Sequence, residues 1–271
     1  MNSGVPLLEV QDLTKRFGGV VAARGVTFKL ERGEMLALIG PNGAGKSTTF
    51  NMVGGQTRPD AGHVRLDGID ITGHTPQSIV KAGAGRTFQI AQTFVSMTVA
   101  ENVGVALHAA AGRSLDMLSR AREALRAEAV GLLDVVGMAD SADRPVRTLA
   151  YGDIKRVELA IALASKPKLL LMDEPTAGMA PKERSALMAL TQRLARERNL
   201  GVLFTEHDMD AVFGYADRIL VLVRGEIIAR GRPNDIRSDA RVREVYLGDL
   251  GAAAAAAATA QSAQEGRTTN P

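Results

Sequence analysis

The chain has 271 residues, of which 45% are hydrophobic and 23% charged, a balance that places it among globular proteins with material for a substantial core. A net charge of +3 without any Lys/Arg-rich block argues against a nucleic-acid partner. The absence of cysteine excludes disulfides and thiolate metal sites, and fits a reducing compartment.

In chain order, residues 7–39 read as strands and turns, with "LLEVQDLTKRF", "GVTFKL" and "EMLALIG" ending at Gly40. A further strand is expected in "GHVRLDGIDI" at 62–71. Thr75 then caps a short helix with Pro76 at its first position. From 96 to 137 helical signals take over. Thr98 and Glu101 form a capping-box pattern, and "SLDMLSRAREALRAEAVGLLDVV" continues as an amphipathic helix.

"LAYGDIKRVELAIAL" at 149–163 predicts a helix whose apolar stripe is Ile154, Val157, Ile161 and Ala164, with Lys155, Arg156 and Glu158 between them. Its start lacks the usual Ser, Thr, Asp or Asn cap and presents a bare Gly152. "KLLLMDEP" is the continuous apolar run of a strand covered on both faces. Pro181 opens a helix to about Arg198, "GVLFTEH" is the next strand, and "RILVLVRGEIIARG" is a hairpin turning at Arg224-Gly225. Roughly 60 helical residues are thus inserted into an α/β domain. From 251 onward the Ala-rich tail reads as disordered. The first residues carry no signal-peptide pattern, and no stretch reaches the ~20 apolar residues that a membrane-spanning helix needs. The expectation is a soluble chain whose membrane role, if any, runs through partners.

Two motifs carry chemistry. "GPNGAGKST", comprising Gly40, Pro41, Asn42, Gly43, Ala44, Gly45, Lys46, Ser47 and Thr48, matches G-x-x-x-x-G-K-[ST] between a strand and a helix. Glycines there let backbone N–H groups turn inward around phosphate oxygens. Lys46 reaches the β/γ-phosphates, Ser47 is placed to ligate Mg²⁺, and the helix N-terminus adds its positive end. The pattern points to ATP or another nucleoside triphosphate. In "LLLMDEP", Asp173 fits the carboxylate that holds the Mg²⁺ shell, and Glu174 beside it is placed to polarise an attacking water. Three single residues align with these. Gln89 in "RTFQ" either touches Mg²⁺ or is an ordinary loop glutamine. His207 in "FTEHD" either contacts the γ-phosphate or is structural. Phe17 either stacks on adenine or closes a strand.

Taken in order, Phe17, the phosphate loop, Gln89, "LAYGD", "LLLMDEP" and His207 resemble the ATP-binding subunits of ABC transporters, over residues from about 7 to 248. The resemblance implies a P-loop NTPase (RecA-like) core with an antiparallel β subdomain and an inserted helical subdomain. The core and β region would span about 1–95 and 159–250, the helical subdomain about 96–158, and the tail 251–271. It makes Phe17 the adenine-stacking position, Gln89 the Q-loop glutamine, Glu174 the catalytic glutamate and His207 the switch histidine. Ala150, Tyr151, Gly152 and Asp153 become the signature loop, usually L-S-G-G-Q, which faces the γ-phosphate held by a second cassette. Gly152 would then keep that backbone bare for the phosphate.

Two positions depart from the family pattern: Ala150 replaces the signature serine, and Ala180 stands where an Asp or Asn usually ends the D-loop. Ala150 leans toward an unequal partner and two unequal ATP sites. The cofactors implied are ATP and Mg²⁺. The partners implied are a second ATPase subunit, two transmembrane permease subunits and, indirectly, a periplasmic or extracellular solute-binding protein, with this chain peripheral on the cytoplasmic face of the plasma membrane. "RTFQ", "MTVAENV", "LAYGD" and "VREVYLG" most resemble the LivG-type branch of branched-chain amino acid importers. Import of urea, amides or another small solute stays open, as does a non-transport ABC ATPase or a regulatory module without turnover. No internal repeat or sustained heptad pattern favours the non-transport ATPase, and intact Glu174 and His207 argue against the module without turnover, for which Ala150 and Ala180 leave some room.

Overall fold

The computed structural model describes residues 5–87, 93–111 and 119–245. Strands β1 (Leu8–Phe17) and β2 (Val20–Leu30) form a long hairpin, followed by β3 (Met35–Ile39) and helix α1 (Lys46–Val53). Next come β4 (Ala61–Leu66), β5 (Ile69–Asp70), α2 (Pro76–Ala82) and β6 (Ala84–Thr87). Three helices intervene before the next strand: α3 (Val99–Ala110), α4 (Ser119–Val135) and α5 (Tyr151–Leu163). The chain then alternates β7 (Leu169–Asp173), α6 (Pro181–Glu197), β8 (Gly201–Thr205) and α7 (Met209–Tyr215), and closes with β9 (Arg218–Val223), β10 (Glu226–Gly231) and α8 (Pro233–Ser238).

Two sheets result. One is antiparallel, in the order β2-β1-β4-β5; the other runs β10-β9-β3-β8-β7-β6. Every pairing from β9 to β6 in the second sheet is parallel, and only β10 runs antiparallel. All five residues of β3 and of β8 are buried, which explains their unbroken apolar runs. The period of two sorts them onto two cores. Leu36 and Leu38 join Phe50 and Met52 of α1 and the inner face of the antiparallel sheet, whereas Met35, Ala37 and Ile39 join α3 to α7.

Local capping is as the residues dictate. Thr75 accepts from the Ser78 N–H at the start of α2 with Pro76 behind it, and Thr98 and Glu101 form a reciprocal capping box on α3. Arg224 and Gly225, both at positive φ, turn the β9–β10 hairpin. The 62–71 segment departs from the single strand expected. Asp67 (φ 53) and Gly68 (φ 79) break it into β4 and β5, an Asp-Gly hairpin.

The helix at 149–163 departs more. It starts at Tyr151 with Ala150 as N-cap, and its charged residues do not all face solvent. Lys155 and Glu158 are buried and paired at 2.9 Å, with the Lys155 ammonium 5.6 Å from the Tyr151 ring centroid. Packed on α3, α4 and α6, this helix covers more than the single stripe its periodicity predicts. Among the described residues no helix is long and apolar enough to cross a membrane.

Candidate functional site

The loop between β3 and α1 owes its shape to glycines that no other residue can replace. Gly40 has φ 153, and a Cβ there would meet the Leu222 carbonyl oxygen at 2.0 Å. Gly45 has φ 100, and a Cβ there would meet the Ala22 carbonyl oxygen at 2.1 Å. The loop is therefore pressed between β9 and β2, with two further ties: the Gly225 N–H donates to the Ala44 carbonyl (2.8 Å) and the Arg24 N–H to the Gly225 carbonyl (2.9 Å). Gly43 differs. Its φ is 75 but a Cβ would meet nothing within 4 Å, so that side of the loop is open.

Helix α1 begins with no side-chain cap and no acidic residue in its first turn, leaving its N–H groups and dipole for an anion. Lys46 is 7% exposed, and its ammonium donates to the carbonyls of Gly40 (2.7 Å) and Pro41 (3.1 Å). Asn42, Gly43 and Ser47 are exposed, while Thr48 is half-buried. A cavity of about 470 Å³ flanks the loop between Pro41–Ala44, Val223–Arg224 and Glu244. Asp173, Glu174 and His207 do not line it.

Those three residues lie at the C-terminal ends of β7 and β8, the edge on which open α/β sheets bind ligands. With β8 between β3 and β7, the phosphate loop and both carboxylates open on that one edge. Asp173 Oδ1 accepts the Thr205 hydroxyl at 2.7 Å, and its Oδ2 lies 3.6 Å from Arg86. Burial pushes the Arg86 guanidinium below its usual range, and the Asp173 charge pulls it back. Arg86 also donates to Asn51 Oδ1 (2.9 Å) and Gln56 Oε1 and lies 4.8 Å from the Phe50 ring centroid, tying α1 to β7.

Glu174 adopts φ 47, a left-handed conformation that a non-glycine residue keeps only when its surroundings impose it. Its N–H donates to the Thr205 carbonyl at 3.1 Å, and its Oε1 lies 3.0 Å from His207 Nε2. Among the described residues no three His, Asp or Glu side chains cluster to hold a metal. One carboxylate, Asp173, with the exposed Ser47 hydroxyl is the sparse oxygen set that suits Mg²⁺ arriving with a nucleotide and its waters.

Phe17 closes β1, 53% exposed, with the Lys15 ammonium 5.6 Å from its ring centroid. Gln89 lies outside the described residues. Ala150 and Tyr151 open α5, with no side-chain cap at Ala150 and with Asp153 in the first turn. Gly152 is buried, and a Cβ there would come within 3.0 Å of the Glu183 carboxyl carbon, so a larger residue would require the Glu183 side chain on α6 to shift. Sequence reasoning missed Arg86, Thr205 and Glu206; the only signal for the last two was a polar Thr-Glu pair closing an apolar strand.

A strand, glycine-rich loop and helix beside strand-end carboxylates define a P-loop NTPase. Comparison with known families extends this. The ABC transporter model matches residues 23–177, and a second, described as branched-chain amino acid ATP-binding cassette transporter, matches 226–251. The chain is similar to BraF of Pseudomonas aeruginosa, a high-affinity branched-chain amino acid transport ATP-binding protein, at 40% identity over 90% of this chain and 98% of BraF. It is 39% identical to LivG of Escherichia coli K12, which carries the same description, again covering 90% and 98%. Among solved structures, the ADP conformation of MJ1267, an ATP-binding cassette of an ABC transporter, aligns with a TM-score of 0.80 and 31% identity over 90% of this chain and 99% of that one. The chain belongs to the ATP-binding cassette family of ABC transporters.

Proposed function

We propose that the chain binds and hydrolyses ATP as the motor subunit of an importer for branched-chain or related amino acids. The observation that carries the catalytic part is the convergence of the uncapped α1 end, the Asp173–Glu174 pair and His207 on one sheet edge, with Glu174 held in an unusual backbone conformation. In this reading the loop from Gly40 to Thr48 holds the phosphates and Lys46 exchanges its loop carbonyls for β/γ-phosphate oxygens. Ser47, Asp173 and Gln89 would hold Mg²⁺, which would neutralise phosphate charge when bound. Glu174 orients and deprotonates the attacking water, His207 contacts the γ-phosphate, and Phe17 offers its exposed ring to the adenine.

The start of α5, from Ala150 to Asp153, completes the site of a second cassette in trans. Ala150 offers no hydroxyl there, so the two composite sites are unequal and the natural partner is a different ATPase subunit. Two permease subunits and a solute-binding protein complete the assembly, with this chain peripheral on the cytoplasmic face of the plasma membrane. The substrate class is supported by the relatives BraF and LivG and by the match over 226–251.

Co-purification from membranes with permease subunits, followed by uptake assays with competing amino acids, tests the transport assignment. Leucine uptake lost on removal of this chain is expected; uptake of urea or amides alone overturns the amino-acid assignment. For the chemistry, Glu174→Gln lowers ATP turnover by about 100-fold or more while ATP binding persists. Undiminished turnover overturns the role of Glu174.

A further inference from the structure

The end of β8 carries a buried acid that the hydrolytic reading does not use. Glu206 is 4% exposed. Its Oε1 accepts both the backbone N–H and the hydroxyl of Thr176, at 2.8 and 2.7 Å, and its Oε2 accepts the N–H of His207 at 3.2 Å. Thr205, one residue earlier, donates to Asp173 and accepts the Glu174 N–H, while His207, one residue later, meets the Glu174 carboxylate. Three consecutive residues of the β8 end thus hold Asp173, Glu174 and Thr176 of the β7 end.

The contacts close a ring. It runs from Glu174 through Pro175 to Thr176, across to Glu206, along the chain to His207, and back to Glu174. Glu174 is fastened on both sides: its own N–H by Thr205, outside the ring, and the residue two further on by Glu206 within it. A left-handed glutamate needs that kind of support. A carboxylate accepting three donors in a buried position is a strong and directional fastener.

We propose that Glu206 is a positioning residue for hydrolysis: it sets the Glu174–His207 geometry by locking the loop after β7 to the loop after β8. The inference rests on the reading of Glu174 and His207 as hydrolytic groups. Because Thr176 leads directly into the 177–180 loop before α6, the same acid couples that loop to His207.

The test compares Glu206→Gln, Thr176→Val and Glu174→Gln in the full-length chain within its assembled complex, reading kcat, KM and equilibrium affinity for a fluorescent ATP analogue. In Glu206→Gln an NH₂ replaces one acceptor, so one loop faces donor against donor. A kcat about tenfold lower is expected, with KM and nucleotide affinity within about twofold of wild type. Thr176→Val keeps the backbone N–H and lowers kcat about threefold, and it adds no further loss to Glu206→Gln. Normal kcat in folded Glu206→Gln, or a kcat loss matched by an equal loss of affinity, overturns the proposal. If Glu206→Gln does not fold, Thr176→Val decides: unchanged kcat overturns the proposal, and a threefold loss at constant affinity supports it. A low turnover in Glu174→Gln beside normal Glu206→Gln overturns this inference alone, whereas normal turnover in Glu174→Gln overturns the hydrolytic reading beneath it.

Discussion

Helices α1 and α5 both begin without a side-chain cap, whereas α2, α3 and α7 are closed by Thr75, Thr98 and Asp208. Helix α6 also starts uncapped, at Ala180, but the α1 and α5 ends are opposites in charge. The α1 end follows glycines, has no acid in its first turn and carries Lys46. The α5 end follows an alanine, carries Asp153 in its first turn and lies with Gly152 against the Glu183 carboxyl. An unsatisfied set of N–H groups is thus not by itself a phosphate site. The surrounding charge decides, and here the positive end of the α5 dipole is already answered by the chain's own carboxylates. In the proposed function, the α1 end is therefore the strong phosphate-binding half and the α5 end the weak one.

Lys46→Ala breaks the strong half. Losing an ammonium that makes charge-assisted bonds lowers ATP affinity by about 100-fold or more, read by calorimetric titration, and retained wild-type affinity would refute the assignment. Asp153→Asn probes the weak half. Removing that charge strengthens ATP-dependent association with a second cassette by about two- to fivefold and leaves the chain's own ATP affinity unchanged. Sedimentation at fixed ATP measures this, and unaltered association would show that Asp153 does not oppose the phosphate.

Ala150→Ser supplies the absent N-cap acceptor and stabilises α5 by about 1 kcal/mol, seen as a melting temperature raised by a few degrees. It should also bring the two sites of the assembled complex closer in rate, and equal rates before the substitution would remove the asymmetry altogether. Asp67→Asn is the control far from both ends. A hydrogen bond from Lys168 at 2.6 Å holds the Asp67 carboxyl below its usual range, with Arg32 adding to the effect. Its stabilising contribution is therefore present above the ordinary carboxylate pKa and lost as pH falls through the lowered folded value. The variant costs at most about 1 kcal/mol near neutral pH, and the difference vanishes in acid, with ATP affinity untouched throughout.

Local chemistry was legible in the sequence where neighbours in the chain decide the outcome. The capping residues Thr75, Thr98 and Glu101, the Arg224-Gly225 turn and the glycines of the phosphate loop are of this kind. The Asp67-Gly68 turn was equally local, but an alternating pattern running through it masked the break. What remained hidden depends on partners distant in sequence. The packing of Gly152 against Glu183 joins residues 31 positions apart. Lys155 and Glu158 look like a solvated face until α3, α4 and α6 enclose their helix. Glu206 acquires a purpose only once β7 and β8 are seen as neighbours, because its contacts with Thr176 span 30 positions. Gln89, named on sequence grounds, lies outside the described residues.

The ties that hold Ala44 to Gly225 and Gly225 to Arg24 bear on how fast a ligand is captured. A loop already fixed by a neighbouring hairpin loses little freedom when phosphate arrives, because its ordering cost falls on folding. Capture should then be governed by diffusion and charge steering, without a slow rearrangement of the loop. Amide hydrogen exchange in residues 24 and 225 would already be slow before any nucleotide is added.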